Sequence, residues 1–210
     1  MAIPRARKLI ITVAVASVCA FTLGAYLLGV SPFKKVGTIG EAAVCETLGP
    51  APEAVKTLRS VLPEEASYRF SDDTQPRASA RETWYTANCL VEGEDRTLLS
   101  VSTTLQPADP PEVWLEDHVL EEVDNEGNPT PFAAGEKAVA SDVVAAVYVP
   151  CTPQGVAPGG QYNLGVVVHL EEPGGSDESR TRKGLIALAK SSALHAHRDA
   201  KCTMPSGVDR

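Results

Sequence analysis

VVAAVYVPCTPQGVAPGGQYNLGVVVHL, residues 143–170, carries a strong strand signal at either end. Val143 to Val149 and Tyr162 to Leu170 are rich in β-branched and aromatic residues, and Pro150, Pro153, Gly155, Pro158, Gly159 and Gly160 punctuate the segment between them. This pattern predicts two strands joined through turns. Val166 to Val168 is apolar without alternation, which predicts a central strand covered on both faces, because a strand with one wet face alternates.

Such a strand needs a covering layer, and the sequence after it supplies one. From about Asp177 to His197, Leu185, Leu188, Ala189, Ser192 and Ala196 recur at helical spacing and predict an amphipathic helix packed on the sheet. On the N-terminal side, Ala138 to Ala140 reads as a short strand and Asp124 to Pro131 as a turn-rich connector. Glu112 to Val123 reads as a helix with Leu115, Val119 and Val123 in line. Further back, Trp84 to Val91 and Leu98 to Leu105 flank the acidic turn Glu92-Gly93-Glu94-Asp95 and predict a hairpin, with Tyr68 and Phe70 marking another strand. Thr38 and Glu41 are spaced as a capping box for a helix that runs to Leu48. A second helix follows, with Pro52 near its start and Pro63 as its stop.

These elements predict an α+β domain over 38–205, an antiparallel sheet with helices packed on one face, followed by a short tail, 206–210. The stretches 38–105 and 132–205 share a helix, strand and cysteine plan, so two related halves are an alternative to coincidence.

Ahead of the domain, Leu9 to Val30 is a run of 22 residues without a charge, LIITVAVASVCAFTLGAYLLGV. As a helix it reaches about 33 Å, enough to cross a hydrocarbon core of about 30 Å. A cleaved signal peptide is the competing reading, with Val18-Cys19-Ala20 as its cleavage site, but the apolar run continues well past Ala20. Val18 ahead of Cys19 departs from a lipobox. The expectation is one membrane-spanning helix over 9–30, preceded by a cytoplasmic tail, 1–8, and followed by a juxtamembrane linker, 31–37. Arg5, Arg7 and Lys8 precede the span and hold the amino terminus inside, which places the C-terminal domain outside the cell membrane.

Removing Arg5, Arg7 and Lys8 from the 19 basic residues leaves 16 against 27 acids, so the outer part is strongly acidic. That charge opposes binding to phosphate backbones, and no nucleic-acid partner is expected. Of five cysteines, Cys19 lies in the span, leaving Cys45, Cys89, Cys151 and Cys202 for two disulfides in an oxidising compartment. Three pairings are open. The favoured one joins Cys45 to Cys89 and Cys151 to Cys202, because each bond then ties a helix to a strand hairpin within one half.

The apolar N-terminal segment, the helix AAVCETLG (42–49), the strand NCLVEG (88–93) and YVPC (148–151) before a C-terminal helix together resemble exported and lipoprotein-type proteins of actinobacteria. The resemblance implies a small cysteine-stapled α+β domain and supplies no functional residues to carry over. The missing lipobox departs from the lipoprotein members.

No catalytic or cofactor motif stands in the chain, and neither a catalytic residue nor a metal or cofactor is expected. Glu122, Asp124, Glu126 and Gly127 match the start of a calcium loop, but Ala133 stands where the bidentate Glu belongs, and a solvated acidic loop is the plainer reading. His195 and His197 are two apart on a helix, about 200° from each other, and cannot chelate together; His195 is expected to pair with Asp199. His118 sits among acids as a surface cluster, and His169 alternates with apolar strand neighbours. Ser31-Pro32-Phe33-Lys34 is an S-x-x-K at the membrane exit, where no pocket can form. Of the adjacent Trp84 and Tyr85, one must face outward if the stretch is a strand, and aromatics so placed can serve as a sugar platform. The expectation is a membrane-tethered, non-catalytic binding or interaction module of the cell envelope, taking an envelope protein or small ligand. The alternatives are an envelope enzyme with a site assembled from distant segments, and an accessory subunit packed through Gly24, Ala25 and Gly29.

Overall fold

The structure, a computed structural model, describes residues 36–121 and 128–209. The tail 1–8, the span 9–30, most of the linker and the acidic segment 122–127 lie outside the described residues. Among the described residues no helix is long and apolar enough to cross a membrane.

Among the described residues seven strands form one sheet: β1 (Arg69–Gln75), β2 (Thr86–Glu92), β3 (Thr97–Pro107), β4 (Thr130–Pro131), β5 (Lys137–Ala140), β6 (Val144–Ala157) and β7 (Gly160–Leu170). Their spatial order is β1-β2-β3-β7-β6-β5-β4, and every neighbouring pair is antiparallel. The domain is therefore α+β. β7 is the middle strand, and its residues divide between two apolar clusters. Leu164, Val166, Val168 and Leu170 join the larger cluster, and Val167 joins the smaller one. The unbroken valine run is a strand with both faces covered. Pro150 and Pro153 sit in β6 where its pairing shifts register, at the bulges after Pro150 and Thr152, where a missing N–H costs no ladder bond.

Two helices lie with the larger cluster, on what we call the inner face. α1 (Ala51–Val61) starts with Pro52 in its first turn and buries Ala54, Val55, Leu58 and Val61. A third helix, α2, comprises Pro111–Leu115, and α3 spans Glu178–Asp199. The α3 N-cap is Asp177, whose carboxylate accepts from the Arg180 N–H at 2.9 Å. α3 buries the expected Leu185, Leu188, Ala189, Ser192 and Ala196. α1 and α3 cross closely at Gly184, where a Cβ would collide with the Val61 side chain.

Three expectations change. First, helices are not confined to one face. Trp114 of α2 and Val119 beyond it pack with Val139, Val144, Ala146, Tyr148 and Val167 on the outer face. Second, α2 runs into a single π turn, Glu116–Leu120, closed by Glu121 N–H to Glu116 C=O. Five-residue spacing brings Trp114 and Val119 inward together, with the expected Leu115 packed partly buried beside them, whereas Val123 lies outside the described residues. Third, the expected helix over 38–48 is two short 3-10 turns, Glu41–Ala43 and Glu46–Leu48, with extended backbone at Val44 and Cys45 and no capping box. Tertiary ties override the local helical preference there. Cys45 is bonded to Cys89 in β2, and Asp72 of β1 accepts from the Glu46 N–H at 2.6 Å and from the Thr47 hydroxyl.

The disulfides are Cys45–Cys89 and Cys151–Cys202. Arg77 adds a polar tie. It is 1% exposed, and its guanidinium donates to Thr152 Oγ1 at 3.0 Å, to Ala200 C=O at 3.1 Å and to Ala80 C=O at 2.6 Å. The loop between β1 and β2 is thereby pinned to β6 and to the carbonyl end of α3, where unpaired C=O groups and the helix dipole favour a cation.

Candidate functional site

α2 covers the outer face only above β5, β6 and β7. Over β1, β2 and β3 none of the described residues covers that face, and strand register decides what it displays. Residues paired across antiparallel strands share a face, so three rows can be read from the pairings. They are Ser71, Leu90 and Ser100; Asp73, Asn88 and Ser102; and Gln75, Thr86 and Thr104. The complementary positions Ala87, Cys89, Val91, Val101, Thr103 and Leu105 are buried on the inner face. Alternation thus gives β2 and β3 one apolar side and one side of hydroxyls and amides.

This open face has defined borders. At one end Arg69 and Glu92 pair at 3.6 Å. At the other stands Trp84, 50% exposed, whereas its neighbour Tyr85 is fully buried. The Leu105 N–H donates to Tyr85 C=O at 2.9 Å, so β2 and β3 stay in register beyond Thr86, and with Tyr85 inward Trp84 continues the outward column of Thr86, Asn88 and Leu90. Along the side, Thr104 is paired with Gly165 of β7, and Trp114 stands on Gly165. A helix is about 10 Å across, so α2 forms a wall of that height beside β3. β1 is the outer edge.

A polar network lines the foot of the wall. Tyr148 stacks on Trp114 with ring centroids 4.7 Å apart and planes inclined by 14°. Its hydroxyl accepts from the Asp109 N–H at 3.1 Å, and burial raises its pKa, so the phenol stays protonated. Asn163, 1% exposed, donates to Glu136 at 2.9 Å and accepts from Gln161 at 3.2 Å. No nucleophile paired with a base occurs in this network. The arrangement can hold a ligand by hydrogen bonds and stacking.

The residues singled out by sequence are scattered. His118 lies exposed on the π turn, and the calcium-loop residues Glu122, Asp124, Glu126 and Gly127 lie outside the described residues. His169, half-buried opposite Ser100, places Nδ1 3.0 Å from Glu171 Oε1. His195 forms no ion pair with Asp199 among the described residues; that carboxylate lies instead by the buried Tyr85 hydroxyl, whose pKa is raised first by burial and then by the Asp199 charge. His197 is half-buried, and burial lowers its pKa. Gly159 and Gly160 take positive φ in the β6–β7 hairpin. Ser31, Lys34, Gly24, Ala25 and Gly29 lie outside the described residues. Cys45, Cys89, Cys151 and Cys202 are all disulfide-bonded.

Sequence reasoning missed the open face. Its signal was the alternation of Ser100, Ser102, Thr104 and Gln106 beside Thr86 and Asn88, which becomes a surface only when strand register is known. Among the described residues no three His, Cys, Asp or Glu side chains converge as a metal-binding group. The surface depressions are open ones, such as that formed by Glu112, Leu115, Glu116, Leu120 and Glu121 along α2. Compared with protein-family models, curated proteins and solved structures, the chain matches none.

Proposed function

We propose that the chain is a membrane-tethered binding module of the cell envelope, anchored by residues 9–30 with its amino terminus in the cytoplasm, and that its domain binds a partner outside the cell without catalysing a reaction. The observation that carries the reading is the half-covered sheet. Among the described residues, α2 covers β5, β6 and β7 and nothing covers the outer sides of β1, β2 and β3, which are bordered by a wall and an exposed tryptophan. Two disulfides support an oxidising compartment. The apolar segment Leu9 to Val30 and its basic flank support the anchor and its direction.

A photo-crosslinking residue placed at Ser102 tests this in intact cells, with the same probe at Glu53, exposed on α1, as the control. Adducts at Ser102 and none at Glu53 are expected. Equal labelling at both positions, or a reporter fused after Arg210 that is active only in the cytosol, would overturn the proposal.

A further inference from the structure

From the open face we infer that the ligand class is a neutral glycan, laid along the outer side of β2 and β3 against the α2 wall with a sugar ring stacked on Trp84. The inference rests on the binding-module reading and names its ligand.

Charge narrows the choice first. The chain carries 27 acids and 19 bases, yet between the Arg69–Glu92 pair and Trp84 the three rows hold no base and one acid, Asp73. A phosphate or sulfate finds no lysine or arginine in these rows, and His169, which continues the first row beyond Ser100, is taken up by Glu171 at 3.0 Å; a basic peptide finds a single carboxylate within the rows. Hydroxyl and amide groups dominate instead: Ser100, Ser102, Thr104, Thr86, Asn88 and Gln75. Each can both donate and accept. They are spaced about 4.8 Å across strands and about 6.8 Å along them, a grid suited to a ligand that also carries closely set hydroxyls with both capacities.

Shape and the aromatic agree. A protein interface centres on a well-packed apolar or arginine anchor, and here only the half-buried Leu90 stands among polar neighbours. Trp84 at the end of the grid is a flat apolar plate, and the electron-rich face of an indole attracts the C–H face of a pyranose ring. The surface is open at the β1 edge and walled at β3, so an extended chain can lie along it.

The test uses the full 210-residue chain in a sugar-free detergent. It is titrated with neutral hexasaccharides built on glucose, mannose, galactose and N-acetylglucosamine, with polygalacturonate as the anionic control, read by tryptophan fluorescence and backbone amide shifts. Saturable binding of at least one neutral oligosaccharide is expected, with shifts confined to β1, β2 and β3. Trp84→Ala should weaken it about tenfold, the loss of one good stacking contact, and Glu53→Gln should leave it unchanged. Asn88→Ala combined with Ser102→Ala weakens it without touching any aromatic, so the result does not hang on one variant. No response to any neutral sugar, shifts on the inner face, or equal binding of the polyanion would overturn the inference. Adducts specific to Ser102 in cells without sugar binding would sink the glycan assignment alone; loss of both would sink the binding module with it.

Discussion

The indole of Trp114 rests directly on Gly165, so close that a Cβ at position 165 would stand 2.6 Å from the indole Nε1. Gly165 of β7 is thus the socket that lets α2 lie down on the outer face. Gly165→Ala should lift the tryptophan and destabilise the domain by about 1–3 kcal/mol, the usual cost of overpacking. Near-UV circular dichroism should report the loss of the Trp114–Tyr148 stack, and an unchanged spectrum with unchanged stability would contradict the contact.

Arg77 should behave as an internal strut. Arg77→Met leaves the carbonyls of Ala80 and Ala200 without their donor, and a loss of about 2–4 kcal/mol in urea unfolding is expected. Arg77→Lys should recover only part, because one ammonium cannot replace a planar fork reaching several acceptors. A neutral Arg77→Met variant would show that the loop between β1 and β2 is held by other means.

Removing either disulfide by paired Cys→Ala substitution should cost roughly 4 kcal/mol, from loops closed over 44 and 51 residues. The two losses should differ in kind. The N–H groups of Thr203 and Met204 donate to Cys151 C=O, so loss of Cys151–Cys202 should also expose the segment after Ala200 to proteolysis. Non-reducing peptide mapping should find 45 linked to 89 and 151 linked to 202; scrambled links would reject the pairing.

Acid should weaken the fold through His197. Burial, aided by the charge of Arg198, holds the imidazole pKa below its ordinary value despite the opposing influence of the nearby Met204 and Pro150 backbone. The unfolded chain then takes up the proton first. Stability from this residue is complete above about pH 6.5 and is lost as pH falls through the lower folded value. Melting temperatures compared at about pH 7.5 and about pH 5 should fall less in His197→Gln than in the parent chain. An equal fall in both would remove His197 as the cause.

Much of this architecture is legible in the residues, and the reasons are local. Val166 to Val168 and the Leu185, Leu188 and Ala196 stripe announce themselves because burial on two faces or one leaves a periodic trace. Most of the misses involve partners distant in sequence, and one a local break in helical phase. The 38–48 segment has helical spacing, but its bonds to Cys89 and Asp72 pull it into short turns. Trp114 is buried because a π turn resets the helical phase, which no 3.6-residue pattern contains. Arg77 looks like any loop arginine until Thr152 and Ala200 are brought to it. The open face depends on the pairing of β1, β2 and β3, and a shift of one residue would turn every hydroxyl inward.

Among the described residues β1 ends the sheet with no strand beyond it. Two copies pairing there antiparallel, β1 against β1, would set Asp72 and Asp73 of one against the same acids of the other, and that repulsion discourages edge-to-edge pairing. The carboxylate that fastens the turn at Glu46 therefore also guards the rim against self-assembly.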